Sequence, residues 1–182
     1  MSTVIETARL RLRLLEPDRD AAAMLALLND PGFLAHIGDR GVRDEDQARR
    51  YLADGSVLSY AQNGFGLYAV ERRDDDAWLG VAGLVLRPTL PCPDLGYALL
   101  RPYEGHGYAS EAARAVVAYA QDTLALPRLC AIVAPDNARS TRLLETLGFA
   151  AQGRMRIAAD AHEVELYARD LSVQTNDARP EP

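Results

Sequence analysis

The chain has 182 residues, a formal net charge of −6 and 48% apolar residues. That length suits one domain, since domains run to about 150 residues, and its core should be large enough to need no disulfide or metal staple. The acidic balance argues against a general nucleic-acid binder. No apolar run approaches the roughly 18 residues of a membrane span, and MSTVIETARLRLR lacks the apolar centre of a secretory leader.

Residues Arg9 to Leu15 alternate arginine and leucine with a period of two, which predicts a strand with one buried face and one solvated or salt-bridged face. Pro17 and Asp18 open a helix that keeps helical spacing through Ala22, Leu25, Ala26 and Asn29, and Asp30-Pro31-Gly32 ends it. A looser segment precedes a short, charged helix over Glu45 to Ala53. Gly66–Arg72 and Trp78–Leu86 read as a hairpin across the polar turn Arg73–Ala77. Within it Trp78 is expected as a core or rim aromatic. Gly80 and Gly83 weaken a strand unless another group must approach closely. Cys92 and Cys130 are the only cysteines, and their spacing fits no metal or redox motif. Both are expected as reduced thiols in a cytoplasmic protein.

The chain centres on LGYALLRPYEGHGYASEAARAVVAYA, residues Leu95 to Ala120. It reads as an apolar strand over Leu95–Leu100, a turn holding Gly105 and Gly107, and a helix starting near Ala109. Such a succession leaves unpaired backbone N–H groups at the positive end of a helix dipole, an arrangement suited to phosphate oxygens. Ala112, Ala113, Val116, Val117 and Ala120 give that helix an apolar face of mostly small residues, able to lie close to a sheet. Leu129–Val133 is a short apolar strand. Asp136 or Asn137 caps the following helix, which carries Leu143, Leu144 and Leu147, and Gly148 closes it. Strands are expected near Ala150–Ile157 and Glu163–Arg169, with a disordered tail from Ser172. Helices interleaved with a mixed sheet make the fold α/β or α+β.

Two of these segments together resemble the GNAT superfamily of N-acetyltransferases, in particular its branch that acetylates the N-terminal amines of ribosomal proteins. The cofactor-loop pattern Q/R-x-x-G-x-G/A is met around Glu104-Gly105-His106-Gly107-Tyr108-Ala109, and N-x-x-S-x-x-L-x-x-x-G-F by Asn137, Ser140, Leu143 and Leu147-Gly148-Phe149. The ending Glu165-Leu166-Tyr167-Ala168-Arg169 is also similar to that branch's last strand, so the likeness spans about Thr7 to Leu171. It implies one acetyltransferase domain over residues 1–171, with residues 172–182 outside it. The sheet would be mixed, mostly antiparallel, with about seven strands and about four flanking helices.

The resemblance further implies acetyl-CoA as co-substrate and no metal. Amides of Gly105, His106, Gly107, Tyr108, Ala109 and Ser110 would hold its diphosphate. The main chain of Leu99 and Leu100 would pair with the pantetheine arm, and Asn137 and Ser140 would face it from the other side. Arg101, Arg139 and Arg142 could meet remaining phosphate charge. Glu104 stands where the motif prefers Gln or Arg, so its carboxylate is expected to turn away. Many members protonate the departing thiolate with a tyrosine directly after the motif leucine, where this chain has Leu144. In the resembling branch that task falls to the serine, which makes Ser140 the candidate acid, or else a cofactor hydrogen-bonder only.

An attacking amine must be neutral, and an α-amine with a pKa of about 7.7–8.0 needs less help than a lysine near 10.4. By position and type, Asp160, His162 and Glu163 are the candidate bases, each also readable as a turn residue or solvated charge. His36 reads as a rim or core histidine, His106 as a backbone donor and Glu111 as structural. The partner would be an amine acceptor, a protein N-terminus or a small molecule, and the enzyme a monomer or homodimer with no nucleic-acid or membrane partner. A non-catalytic acyl-CoA sensor is the alternative. A dinucleotide oxidoreductase is a weaker one, because Ser110 stands at the third glycine of G-x-G-x-x-G and the next strand ends at Asp136, about thirty residues on where about twenty is expected.

Overall fold

The N-terminal arginine–leucine run forms a strand with both faces covered. In the computed structural model, which describes residues 2–158 and 162–171, β2 (Leu10–Leu14) lies between β1 (Thr3–Glu6) and β3 (Leu67–Arg72). Leu10 and Leu12 are fully buried toward one helical layer. On the opposite face Arg13 is only 1% exposed, because helix α1 (Pro17–Leu28) packs over it. Its guanidinium donates to Asp20 at 2.7 and 2.8 Å and to Glu71 at 2.8 Å. Arg19 also reaches Glu71, at 2.9 Å. The arginine face is therefore salt-bridged, one of the two expected outcomes, and at Arg13 the ion network is also buried.

The remaining strands are β4 (Trp78–Val85), β5 (Asp94–Leu99), β6 (Arg128–Val133), β7 (Ala150–Arg156) and β8 (Glu163–Asp170), in the order β1-β2-β3-β4-β5-β6-β8-β7. Every neighbouring pair is antiparallel except β5 and β6. The expected hairpin is β3–β4, and Trp78 packs at the edge of the core beneath α1. A Cβ on Gly83 would sit 2.1 Å from the carbonyl oxygen of Gly66, so that residue must be glycine for the neighbouring backbone to fit.

One face of the sheet is covered by α5 (Tyr108–Asp122) and α6 (Ala138–Thr146). Ala112, Ala113, Val116, Val117 and Ala120 of α5 are all buried, as their spacing predicts. The other face carries α1, α2 (Pro31–His36) and α3 (Glu45–Leu52), and beside them a π-helical turn over Ala53–Val57 leads into α4 (Leu58–Asn63). The described residues thus hold eight strands and six α-helices, where about seven and about four were expected. The additions are short. β1 forms by pairing with β2. Asp30 accepts from the Gly32 N–H at 2.8 Å and starts α2, where sequence suggested a stop. In α4, Tyr60 stacks on Tyr68 at 5.6 Å between ring centres and donates to the Leu67 carbonyl.

A second departure concerns sulfur. Cys92 and Cys130 form a disulfide, with Cα atoms 5.9 Å apart. Spacing along the chain is uninformative here, because the bond follows from topology. The Cys130 N–H donates to the Pro93 carbonyl at 2.9 Å, at the single β5–β6 rung, Asp94 to Cys130. The expectation of reduced thiols is corrected, and the cytoplasmic assignment loses that support. No helix among the described residues is long and apolar enough to cross a membrane. The expected tail from Ser172 lies outside the described residues.

Two outcomes follow. Denatured, unreduced protein should show no free thiol, and reduction should cost about 2–4 kcal/mol of stability in urea titrations; two free thiols before reduction would contradict the bond. Arg13→Ala strands the buried Asp20 carboxylate, leaves Glu71 to Arg11 and Arg19, and should cost about 3–5 kcal/mol, read as a lower urea midpoint at unchanged slope.

Candidate active site

The site originates where β5 and β6 stop pairing. β4 and β5 stay in register from Gly80–Leu99 to Val85–Asp94, and β6 and β8 from Arg128–Asp170 to Val133–Glu165. Between them β5 and β6 share one rung and then diverge. A cavity of about 900 Å³ opens there. Its walls are the inner edges of both strands, the glycine turn, the start of α6, and residues of α1, α2 and α4. Beyond that rung the β5 main chain, including Leu99, borders the cavity without a strand partner on that side, as a strand-like ligand would require.

At one end of the cavity, Leu100 leads into a single 3₁₀ turn, Arg101–Tyr103, and then the glycine turn. Gly105 and Gly107 have φ of 78° and 80°, the left-handed region that costs other residues roughly 1–2 kcal/mol. Gly107 is the N-cap of α5, so the N–H groups of the first helical turn have no partner within the helix. The outer side of the turn is held from β2's start. Glu111 accepts from the Thr7 hydroxyl at 2.6 Å, the Arg9 N–H at 2.9 Å and the Arg9 guanidinium at 2.6 Å. Arg9 also donates to the His106 carbonyl at 3.0 Å and lies over the Tyr108 ring at 4.5 Å. Burial would raise the pKa of Glu111, but these donors outweigh it and hold the carboxyl below its ordinary value. Glu111 is structural, as its position suggested.

On the opposite wall the Asn137 carbonyl oxygen accepts from the Ser140 N–H at 3.1 Å and caps α6. Tyr97 of β5 borders the cavity with Ser140. Polar contacts also cross its mouth. Glu104 accepts from Arg139 of α6 at 2.7 Å, and Asp30 of α2 accepts from the Arg101 N–H at 3.2 Å. His36 Nδ1 lies 4.0 Å from Asp136, which makes His36 a rim residue. Glu104 still borders the cavity, so it meets the repulsion expected of it by pairing with Arg139.

Of the residues singled out from sequence, Leu99, Gly105, Gly107, Tyr108, Ala109, Ser110, Asn137 and Ser140 line this one cavity. Leu100 and His106 adjoin it in the chain without lining it. Glu163 lies apart, exposed at the start of β8 and paired with Arg154 at 3.3 Å. Asp160 falls outside the described residues. Leu144, where a tyrosine acid is common, is core at 1% exposure. Tyr97 was not singled out by sequence reasoning. Its clue was the alternation Leu95, Tyr97, Leu99, which sends all three to the α5–α6 face. Among the described residues no group of three or more His, Cys, Asp or Glu is placed to hold a metal ion.

The strand pair thus opens over a helix N-terminus behind a double-glycine turn, where unpaired amides suit an anionic ligand. Residues 9–150 match the acetyltransferase (GNAT) domain. The chain belongs to the GNAT family and is an acetyltransferase. It is 31% identical over 157 residues to the uncharacterized N-acetyltransferase YoaA of Bacillus subtilis, covering 86% of this chain and 88% of that one. It is 34% identical over 91 residues to the ribosomal protein uS5-alanine N-acetyltransferase of Escherichia coli, covering 49% of this chain and 45% of that one. The structure of RimL, a ribosomal alpha-N-protein acetyltransferase in complex with coenzyme A, superposes with a TM-score of 0.76 at 21% identity, covering 91% of this chain and 96% of that one. The last likeness bears on the fold alone.

Glu104→Gln removes one negative charge beside the glycine turn and frees Arg139. It should tighten CoA binding about two- to fivefold, the scale of an exposed ion pair. Calorimetry at low and high salt checks this; weaker binding would mean that the Glu104–Arg139 pair builds the site.

Proposed function

We propose that this chain, acting as one domain over residues 1–171, transfers the acetyl group of acetyl-CoA to a primary amine by direct attack on the thioester. The observation that carries this reading is the single-rung β5–β6 junction opening onto the glycine turn. A pantetheine arm is a string of amides that can pair with the exposed edge of β5 at Leu99 as an added strand does, whereas Leu100, also expected there, spends its N–H on the Leu79 carbonyl and its carbonyl on the Tyr103 N–H. The amides from Gly105 to Ser110 would receive the diphosphate at the dipole's positive end. Asn137 spends its carbonyl oxygen on capping α6, which leaves its amide N–H₂ to face the arm.

In the reaction the amine lone pair forms the new N–C bond while the C–S bond breaks with its electrons on sulfur. Ser140, with its side chain on the cavity wall, is our candidate for supplying the proton sulfur needs. Leu144, directly after the motif leucine, cannot take that part from within the core. Glu163, paired with Arg154 outside the cavity lining, is a weaker candidate base than its position in the sequence suggested. An α-amine, already partly neutral near pH 7.7–8.0, asks little of one. The likeness to an alanine-directed ribosomal enzyme supports a protein N-terminus as acceptor, and a small-molecule amine is the other outcome of the assay.

Thiol release from acetyl-CoA, measured against peptides with free α-amines and small primary amines, tests this function. Turnover with at least one amine is expected, and Ser140→Ala should lower kcat about a hundredfold with KM for acetyl-CoA little changed. CoA binding without acetylation of any amine would favour the non-catalytic sensor. A rise in KM alone would make Ser140 a binding residue.

A further inference from the structure

The glycine turn can present amides to an anion only if its peptide planes are held the right way round. Gly105 and Gly107 flank His106, and both sit at positive φ, 78° and 80°. Glycine moves between left- and right-handed conformations at little cost, so the plane joining His106 to Gly107 can turn over unless something holds it. In a trans peptide the carbonyl and the N–H point in opposite directions. One orientation of that plane offers the cavity the Gly107 N–H, and the other offers it the His106 carbonyl oxygen.

We infer that Arg9 is a positioning residue for the cofactor: its hold on the His106 carbonyl fixes that plane and aims the Gly107 N–H at the diphosphate. The inference rests on the acetyltransferase reading above and adds a residue to it. Arg9 Nη1 donates to the His106 carbonyl at 3.0 Å, which turns that oxygen toward the start of β2. The Gly107 N–H therefore points away from Arg9, on the side where Gly107 lines the cavity. Among the described residues that N–H finds no backbone acceptor.

The guanidinium is itself held on several sides. Its Nε donates to Glu111 at 2.6 Å, and the Arg9 backbone N–H donates to the same carboxylate at 2.9 Å. Its central carbon lies 4.5 Å from the centre of the Tyr108 ring. The β3–β4 turn fixes the main chain behind it. There the Arg73 N–H donates to the Arg9 carbonyl at 2.9 Å, and the Arg73 guanidinium to the Thr7 carbonyl at 2.6 Å. Glu111 stands in the first turn of α5, so one planar group ties the glycine turn to the helix it opens. A lysine ammonium lacks the fork that serves a carboxylate and a carbonyl at once. Released from Arg9, the plane can set the His106 oxygen against the diphosphate, and CoA must then restore the turn at a cost in affinity.

The test is Arg9→Met and Arg9→Lys in the full chain, read by calorimetry with CoA, by melting temperature, and by turnover with an amine that the wild-type chain accepts. Methionine keeps an unbranched stem beside Tyr108 and removes both side-chain hydrogen bonds. The Arg9 side chain is 47% exposed and its ion pair adds little stability, so the melting temperature should hardly move. Arg9→Met should bind CoA about tenfold more weakly, the scale of one lost hydrogen bond to a charged group. The loss should fall on KM for acetyl-CoA and spare kcat at saturation. Arg9→Lys should lose nearly as much, because charge without the fork does not hold the plane. Wild-type CoA affinity in Arg9→Met, full recovery of affinity by Arg9→Lys, or a kcat that falls together with the melting temperature would overturn the assignment while leaving the acetyltransferase reading intact. A wild-type chain that does not bind CoA would sink both, and one that binds CoA but acetylates nothing would sink the transferase reading alone.

Discussion

Everything in this molecule depends on two parallel strands that fail to stay together. β5 and β6 meet at one rung and then part, in a sheet whose other pairs are continuous over several residues. Unpaired strand edges normally cost stability or invite aggregation. Here the edge faces a cavity, and the chain anchors the closed end of the gap twice. The Cys92–Cys130 bond ties the segment before β5 to β6, and buried Asp94 pairs with Arg87 at 3.2 Å. Burial raises the pKa of Asp94 against the pull of that arginine.

The open end is governed by a different economy of charge. Two left-handed glycines turn the chain so that α5 begins with its amides toward the cavity. Arg9, Thr7 and Glu111 grip the outer side of that turn and neutralise one another. The inner side is left to amide dipoles and to Arg139, which Glu104 engages. On the proposed reading a net-acidic protein binds its anion there without any basic patch, because the donors are backbone groups at a helix end.

Much of this was legible in the sequence, and the parts that were not share a cause. The α5 face, the Asn137 cap and the closing Gly148, with φ of 79°, follow from local rules of spacing and capping. The glycine turn and the second motif located one end and one wall of the cavity. What escaped depends on partners distant in sequence. Arg13 reads as solvated or salt-bridged, and its burial comes only with α1, which brings Asp20 over it. Gly55 weakens the helical pattern of residues 53–63, which Tyr60 restores by bonding to the β3 backbone and stacking on Tyr68. The disulfide needs the β5–β6 crossing to bring residues 38 apart together. Tyr97 sat unremarked inside an apolar strand, because a strand pattern reports a face and not what stands opposite.

The most direct test is an amide nitrogen–proton correlation spectrum of ¹⁵N-labelled protein titrated with coenzyme A. Backbone donors gripping the diphosphate should give the largest shifts at Gly105 to Ser110, with a smaller one at Leu99. Saturable binding that leaves the amides of Gly105 to Ser110 unmoved would contradict the account.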